Sequence, residues 1–384
     1  MTISATSAYP EQGSAPGTTP IRKPAKLLLP NLDGIRAVAC LLVVLSHIPV
    51  PGKFETLGSL GVSLFFVLSG FLMGHLYAAT PWDGAAVLRY GIARFSRIAP
   101  IYWLVVTLCV LLSLAEPQQE FVLRIEGLGP VLRHYLFSGN AGIFWSIPLE
   151  VQYYLFFLLV WWAMAHASQR VSALPLLALV CVLLLVTHGY WRGLMLPNKL
   201  HFFLAGTVAG LAPRPIWSAG RETVAMLLLQ LAALLLLLSP PWLYGSQRAM
   251  YESTPLALLL GLGIYLLSMP SRWSGWVLAT PWMRKIGQSS FSIYLLHMLV
   301  IHYGMRLLDL QILVYAHAWL LLVASVALPM LVSQWVEIPL QRYTRQWLEK
   351  HLLKHWLQRL LNRRLNPASP ASPLPHPANP LVPK

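Results

Sequence analysis

The chain has 384 residues, of which 57% are hydrophobic and 11% are charged. Soluble domains carry about a quarter charged residues, so this composition excludes an ordinary soluble protein and indicates a polytopic membrane protein. The net charge of +15 first concerns the orientation of the membrane spans, and no nucleic-acid partner is expected.

Ten apolar stretches of helical length predict an all-α chain that crosses the membrane about ten times. The predicted spans are residues 33–51, 57–79, 98–115, 143–165, 173–188, 200–212, 223–239, 255–269, 287–308 and 313–334. The sixth span contains Gly206 and Gly210, a small-xxx-small spacing that lets two helices approach closely. Residues 31–340 are therefore predicted to form one transmembrane domain.

The segments outside this domain differ from it in composition. Residues 1–30 are polar and rich in Ser, Thr, Pro and Gly, so a disordered N-terminus is expected. Residues 341–365 alternate basic and apolar residues at helical spacing, which predicts a basic amphipathic helix on the membrane surface. The Pro-rich segment 366–384 is expected to be a disordered tail.

Most of the 28 Lys and Arg residues fall on one side of the membrane when the N-terminus is placed in the cytoplasm. Cytoplasmic segments of membrane proteins carry an excess of these residues. Because ten spans return the chain to its starting side, both termini are predicted to be cytoplasmic. The His and Cys residues show no metal-ligand spacing, so no metal is expected.

Ionisable residues inside the predicted spans are the main candidates for function, because burying them beside lipid is costly. Arg36 and His47 share the first span, and their spacing places them roughly 16 Å apart along a helix. Glu150 and His297 are expected at a mid-to-outer depth similar to that of His47. Polar groups that converge in depth indicate a shared cavity.

Six short motifs follow one another along the chain. They are LDGIRAVACLLVVLSH (32–47), GVSLFFVLSGFL (61–72), RFSRIAPIYW (94–103), WSIPLEVQYYL (145–155), GQSSFSIYLLH (287–297) and VEIP (336–339). This ordered set resembles the membrane-bound acyltransferase family 3, which includes bacterial O-antigen, exopolysaccharide and Nod-factor acetylases. The resemblance covers about residues 31–340.

The resemblance implies an acyltransferase of the bacterial inner membrane. Its expected donor is a cytoplasmic acyl-CoA, usually acetyl-CoA. Its expected acceptor is a hydroxyl group of a glycan or glycolipid, such as lipopolysaccharide O-antigen or an exopolysaccharide. Membrane lipids are expected partners, and a separate periplasmic transferase or esterase-like protein would complete the transfer where a second protein is needed.

Five residues are candidates for the catalytic machinery. His47 is the expected general base, since imidazole titrates near neutrality; the alternative is a His that only packs between helices. Glu150 would orient that imidazole, or instead be a structural carboxylate paired with Arg36 or a His. Arg36 would steer the donor or stabilise the oxyanion, unless it snorkels to the interface. Tyr294 or His297 would donate to the acyl carbonyl, or only join two helices.

Further residues are candidates for substrate binding. Arg94 and Arg97 match an Arg-rich motif of the family and suit the phosphates of CoA. Arg284 and Lys285 would extend this basic rim, although any cytoplasmic loop is basic. Candidates for the acceptor site, which can equally be packing residues, are Trp145, Tyr154 and Ser290.

Two residues depart from the family pattern. Val151 stands where many members carry a second acidic residue, so the acidic role rests on Glu150. Pro148 is expected to interrupt the hydrogen bonding of the fourth span, which either opens a cavity or kinks the helix.

Several functional alternatives remain open at this point. Polar residues at mid-membrane also mark the substrate path of a transporter or flippase for a polysaccharide precursor. If the protein is an acyltransferase, the acyl group can be larger than acetyl, such as succinyl, and the acceptor can be a small molecule. Transfer to a lipid-linked sugar on the cytoplasmic side also remains open.

Overall fold

The computed structural model describes most of the chain as α-helix, with no β-strand among the residues it describes. Those residues are 29–49, 55–116, 123–167, 173–191, 193–213, 224–308, 315–353, 356 and 358. The α-helices are α1 (Pro30–His47), α2 (Glu55–Tyr77), α3 (Gly84–Ala115), α4 (Leu128–Tyr135), α5 (Ser146–Ala165), α6 (Leu174–Val186), α7 (Leu200–Leu211), α8 (Val224–Leu238), α9 (Pro240–Leu243), α10 (Gln247–Glu252), α11 (Thr254–Ser268), α12 (Arg272–Leu278), α13 (Pro281–Gln288), α14 (Ser290–Leu307), α15 (Tyr315–Val332) and α16 (Ile338–Leu348).

Each of the ten predicted spans coincides with one of these helices, which confirms the prediction of an all-α membrane protein. By length and composition, four helical segments of the described chain can cross a membrane: Thr56–Tyr77, Gly84–Ala115, Gly142–Ala165 and His317–Leu353. A fifth is obtained if α11 and α12, which meet at a bend of 108°, form one span. Ten crossings therefore stay a prediction. The predicted disordered segments, 1–30 and 366–384, lie almost entirely outside the described residues.

Helix α3 begins earlier than predicted, so the stretch that was expected to be a loop before residue 98 is helical. The side chain of Asp83 caps the helix by accepting a hydrogen bond from the amide of Ala86 at 2.8 Å. Arg94 and Arg97 therefore lie one helical turn apart on the same face of α3. Arginines end an apolar stretch but not a helix, because arginine is a good helix former.

Helices α2 and α7 pack with their backbones in close contact, as the small-residue spacing predicted. A Cβ atom at Gly206 would lie 1.9 Å from the carbonyl oxygen of Val67, and one at Gly210 would lie 2.2 Å from that of Phe71. From the other side, a Cβ at Gly70 would lie 2.0 Å from the carbonyl oxygen of Phe203. Only glycine permits this approach, which fixes α2 against the core.

Helix α5 follows directly on a 3₁₀ turn at Gly142–Trp145. Pro148 therefore falls in the first turn of α5, where the absent N–H is not needed. The predicted interruption of the helical hydrogen bonding by Pro148 is therefore wrong.

His134 of α4 holds the chain just before that turn. Its Nε2 accepts a hydrogen bond from the amide of Ala141 at 3.4 Å, so its Nδ1 carries the proton and donates to the hydroxyl of Tyr102 at 2.8 Å. Burial lowers the pKa of His134 to about 4.

Up to residue 353, the C-terminal segment continues from α15, and the rest of the predicted surface helix (341–365) lies mostly outside the described residues. A π-helical turn at Ser333–Glu337 joins α15 to α16, and a second one follows at Glu349–Leu353. Helix α16 packs against α3. π-Turns often occur where side chains are placed for function, and the first of these turns carries the buried Glu337.

Candidate active site

A cavity of about 290 Å³ lies between α1, α2, α3, α5, α14 and α16. Along α2 its lining runs from Val62 to Leu76, which is about 21 Å at the rise of an α-helix. At the end near Leu76, here called the mouth, the lining is exposed; Arg345 there is 52% exposed. At the other end, here called the blind end, Ser146 and Tyr294 are buried. The cavity therefore enters the helix bundle from one side and stops inside it.

Arginines outnumber carboxylates on the cavity wall. The lining contains Arg36, Arg94, Arg97 and Arg345, against the single carboxylate of Glu150. Such a wall favours an anionic ligand.

Arg36 is one of these lining arginines. Among the residues that the structure describes, none hydrogen-bonds or ion-pairs with its guanidinium, and Asp33 and Glu150 act on it only at longer range. A guanidinium that faces a cavity without a protein partner is available to a ligand.

Arg94 and Arg97 are both held in place by neighbouring side chains. The guanidinium of Arg94 lies 5.7 Å from the ring centroid of Tyr77 and 5.6 Å from that of Tyr154, and it donates to the Tyr77 hydroxyl at 3.3 Å. Arg97 forms an ion pair with Glu337 at 3.3 Å. Cation–π contacts and ion pairs restrict a guanidinium to one position, so these two arginines present a fixed charge near the mouth.

Glu337 supports Arg97 from a fully buried position. Its carboxylate accepts hydrogen bonds from Ser292 and Ser333, each at 2.7 Å, in addition to the pair with Arg97. The VEIP motif at the end of the tenth predicted span thus fixes a cavity arginine.

Glu150 does not contact His47, so the predicted pairing of these two residues is corrected. Its carboxylate accepts a hydrogen bond from the Tyr154 hydroxyl at 2.5 Å and one from Ser69 at 3.4 Å. It lines the cavity with Arg36 but does not ion-pair with it, so the alternative of a carboxylate paired with Arg36 or a His is not observed among the described residues either. The reason is that α5 faces α2 and α3 here, whereas the end of α1 faces α14.

His47 is paired with His297 instead. The Nδ1 of His297 lies 2.8 Å from the carbonyl oxygen of Tyr294, and the Nδ1 of His47 lies 2.9 Å from that of Val43. Because a carbonyl only accepts, both Nδ1 atoms carry the proton in the neutral rings. The Nε2 lone pair of His297 then faces the Nδ1 of His47 at 3.3 Å.

This arrangement leaves the Nε2 of His47 as a lone pair. No residue among those described hydrogen-bonds to that nitrogen, and His47 is only half-buried. His47 thus has the chemistry of a general base whose tautomer is fixed by the Val43 carbonyl and whose ring is restrained by His297.

Ser290, Tyr294 and His297 share one face of α14, as their spacing predicted. Ser290 and Tyr294 line the cavity, and His297 lies one turn beyond the blind end. The Tyr294 hydroxyl donates to the carbonyl of Ile143 at 2.7 Å and accepts from Ser146 at 2.8 Å. The ring of Tyr294 is 6.1 Å from that of His297, so Tyr294 lies between the cavity lining and the histidine pair.

Three predicted binding residues do not line the cavity. Arg284 and Lys285 lie on α13, which packs against α1, and Lys285 contacts the ring of Trp282 at 5.4 Å. Trp145 packs edge-on against Phe66 at 6.1 Å. The basic rim is therefore narrower than predicted, because the turn between α13 and α14 places α13 outside the cavity wall.

Sequence reasoning missed several residues that the structure brings to or beside the cavity: Tyr77, Glu337, Gln341 and Arg345. Ser69, which the sequence predicts to be a packing or cavity residue, lines the cavity. Gln341 and Arg345 were assigned to a surface helix because their pattern is amphipathic. No sequence signal distinguishes a basic face that meets lipid from one that borders a cavity.

Comparison with known proteins places the chain among the acyltransferases. The family model for the acyltransferase domain of acyltransferase family 3 matches residues 29–337, so the chain belongs to this family.

Individual relatives are more distant. Acyltransferase MdmB of Streptomyces mycarofaciens is 27% identical over 338 residues, which cover 77% of this chain and 84% of MdmB. Peptidoglycan O-acetyltransferase OatA of Listeria monocytogenes is 24% identical over 357 residues, which cover 82% of this chain and 56% of OatA. O-acetyltransferase OatA of Staphylococcus aureus is 24% identical over 172 residues, covering 40% of this chain and 28% of that protein. No solved structure matches the chain.

Proposed function

We propose that the protein transfers an acyl group, in the simplest case acetyl, from cytoplasmic acyl-CoA to a hydroxyl group of a cell-surface carbohydrate. The observation that carries this proposal is the arginine-lined cavity, whose blind end lies one helical turn from the His47–His297 pair. The name of the Listeria relative, a peptidoglycan O-acetyltransferase, supports a glycan as the acceptor.

The donor would enter by the mouth, which faces the cytoplasm in the predicted orientation. The phosphates of CoA would meet Arg94 and Arg97, where charge-assisted bidentate hydrogen bonds are strong. The flexible arm would extend along the cavity past Arg36 and bring the thioester to the blind end. Arg36 lies roughly 16 Å along α1 from His47, so we assign it to the donor arm, away from the atom that His47 deprotonates.

The acceptor would approach His47 from the opposite side of the membrane. In this mechanism the Nε2 of His47 takes the proton of the acceptor hydroxyl as its oxygen attacks the thioester carbonyl. The C–S bond then breaks, and the imidazolium of His47 gives its proton to the departing CoA thiolate. The products are the acyl ester and CoA.

The test is release of CoA thiol from acetyl-CoA by the full chain in nanodiscs, with and without bacterial glycan extracts. We expect His47→Ala to lower the rate by a factor of about 10² to 10⁴, the usual contribution of general acid–base catalysis. We expect Arg94→Ala to raise the KM for acetyl-CoA. The control Arg89→Ala removes an exposed arginine of the same helix that does not line the cavity, and should leave KM unchanged.

A wild-type protein that neither binds CoA nor releases thiol, even with glycan extracts, would contradict the donor assignment. A transporter of polysaccharide precursors would then be the better hypothesis.

A further inference from the structure

Helix α16 contributes an arginine to the mouth of the cavity from outside the family-matched region. The family model ends at residue 337, whereas Gln341 and Arg345 lie beyond it and still line the cavity. The packing of α16 against α3 brings Arg345 to the same mouth as Arg94 and Arg97.

Arg345 is the least engaged of these three arginines. Arg94 is enclosed by two tyrosine rings, and Arg97 is paired with a buried carboxylate. Arg345 instead donates only its Nε to Glu349, at 2.8 Å, in an exposed pair one turn apart. Its two terminal nitrogens have no hydrogen-bond partner among the described residues.

The geometry of this contact suits a second anion. Exposed ion pairs within a helix are weak, so Glu349 orients the guanidinium without satisfying it. The free pair of N–H groups forms the fork that binds phosphate in a bidentate manner.

We propose that Arg345 binds a phosphate of the donor and thereby selects nucleotide-bearing thioesters over thioesters that carry no phosphate. This inference rests on the proposed use of acyl-CoA. It assigns donor selection to a residue of α16, whereas Arg36 guides the arm and His47 performs the proton transfer. A lipid headgroup offers the same phosphate chemistry, and the experiment separates the two sources.

The experiment measures thiol release by the full chain in nanodiscs with two donors, acetyl-CoA and S-acetyl-pantetheine, which has no phosphate. For Arg345→Ala we expect KM for acetyl-CoA to rise about tenfold or more, as for loss of a hydrogen bond to a charged group. We expect kcat to stay within about twofold and KM for S-acetyl-pantetheine to stay unchanged. Arg345→Lys should recover part of the loss, since it keeps the charge but not the fork.

Arg342→Ala is the matched control, because Arg342 is exposed on the same helix and does not line the cavity. This variant should behave as wild type with both donors. Each variant is measured in nanodiscs of zwitterionic lipid and in nanodiscs that contain anionic lipid.

Three results with Arg345→Ala would overturn the inference. The first is an unchanged KM for acetyl-CoA in Arg345→Ala, and the second is an equal rise in KM for both donors, which would indicate a structural role. The third is an effect seen only in anionic nanodiscs, which would make a lipid headgroup the ligand. If the wild type turns over S-acetyl-pantetheine as well as acetyl-CoA, phosphate selection is absent and the inference fails while acyl transfer stands. If it turns over neither donor, the proposed function fails too.

Discussion

Replacing His297 tests whether it positions His47. In the structure, the Nε2 of His297 is the acceptor that faces the Nδ1 proton of His47 at 3.3 Å. His297→Ala removes this acceptor, while the carbonyl of Val43 at 2.9 Å still receives the same proton. The base therefore keeps its tautomer but loses part of its restraint.

The size of the effect follows from these contacts. A neutral hydrogen bond contributes about 1 kcal/mol net, and releasing a side chain into three staggered wells costs roughly 0.6 kcal/mol. Together they raise the barrier by about 1.6 kcal/mol, which lowers kcat about 15-fold. This loss is smaller than the one expected for His47→Ala, which removes the base itself.

The assay is thiol release from acetyl-CoA at saturating donor, with kcat and KM determined separately. His297→Gln should recover much of the rate, because its amide oxygen can accept the same proton. His302→Ala serves as the control for loss of a histidine from the same helix, and should not lower kcat.

Two results would refute the positioning role. A kcat equal to that of wild type in His297→Ala would mean that the contact has no catalytic effect. A loss as large as that of His47→Ala, with no recovery in His297→Gln, would mean that His297 takes part in the proton transfer itself.

Three further predictions concern stability, each checked by thermal unfolding in detergent. Glu337→Gln should lower the free energy of unfolding by about 1–3 kcal/mol, because Arg97 loses its buried charged partner. Glu349→Gln removes a carboxylate from an exposed pair and should change the free energy of unfolding far less. Equal losses in the two variants would contradict the argument. Gly206→Ala should destabilise the protein, because the new methyl group meets backbone of α2, whereas Gly91→Ala, at an open helical position, should stabilise it by up to about 1 kcal/mol. His134 has a pKa of about 4 when folded and about 6.5 when unfolded. The unfolded chain thus binds more protons between these values, so stability should fall as pH drops from about 6.5 to 4. His134→Gln should lose less stability over that window, and an equal loss would show that another group titrates.

The chain sequence determined the class of protein and the positions of the main helices. Apolar stretches must close their backbone hydrogen bonds locally in lipid, so composition and length suffice to place helices. The ordered motifs identified the family, and they include His47, Arg36 and Arg94. The helical spacing of Ser290, Tyr294 and His297 also predicted their common face.

Only the tertiary structure decided which of these residues meet. His47 and His297 are 250 positions apart, and nothing in the local pattern of either helix distinguishes His297 from Glu150 as the partner of His47. Helical periodicity defines which residues share a face, but the neighbour of that face depends on how distant helices pack. For the same reason Arg345, on a basic amphipathic segment, was expected to face lipid headgroups, and only the packing of α16 against α3 placed it at the cavity mouth.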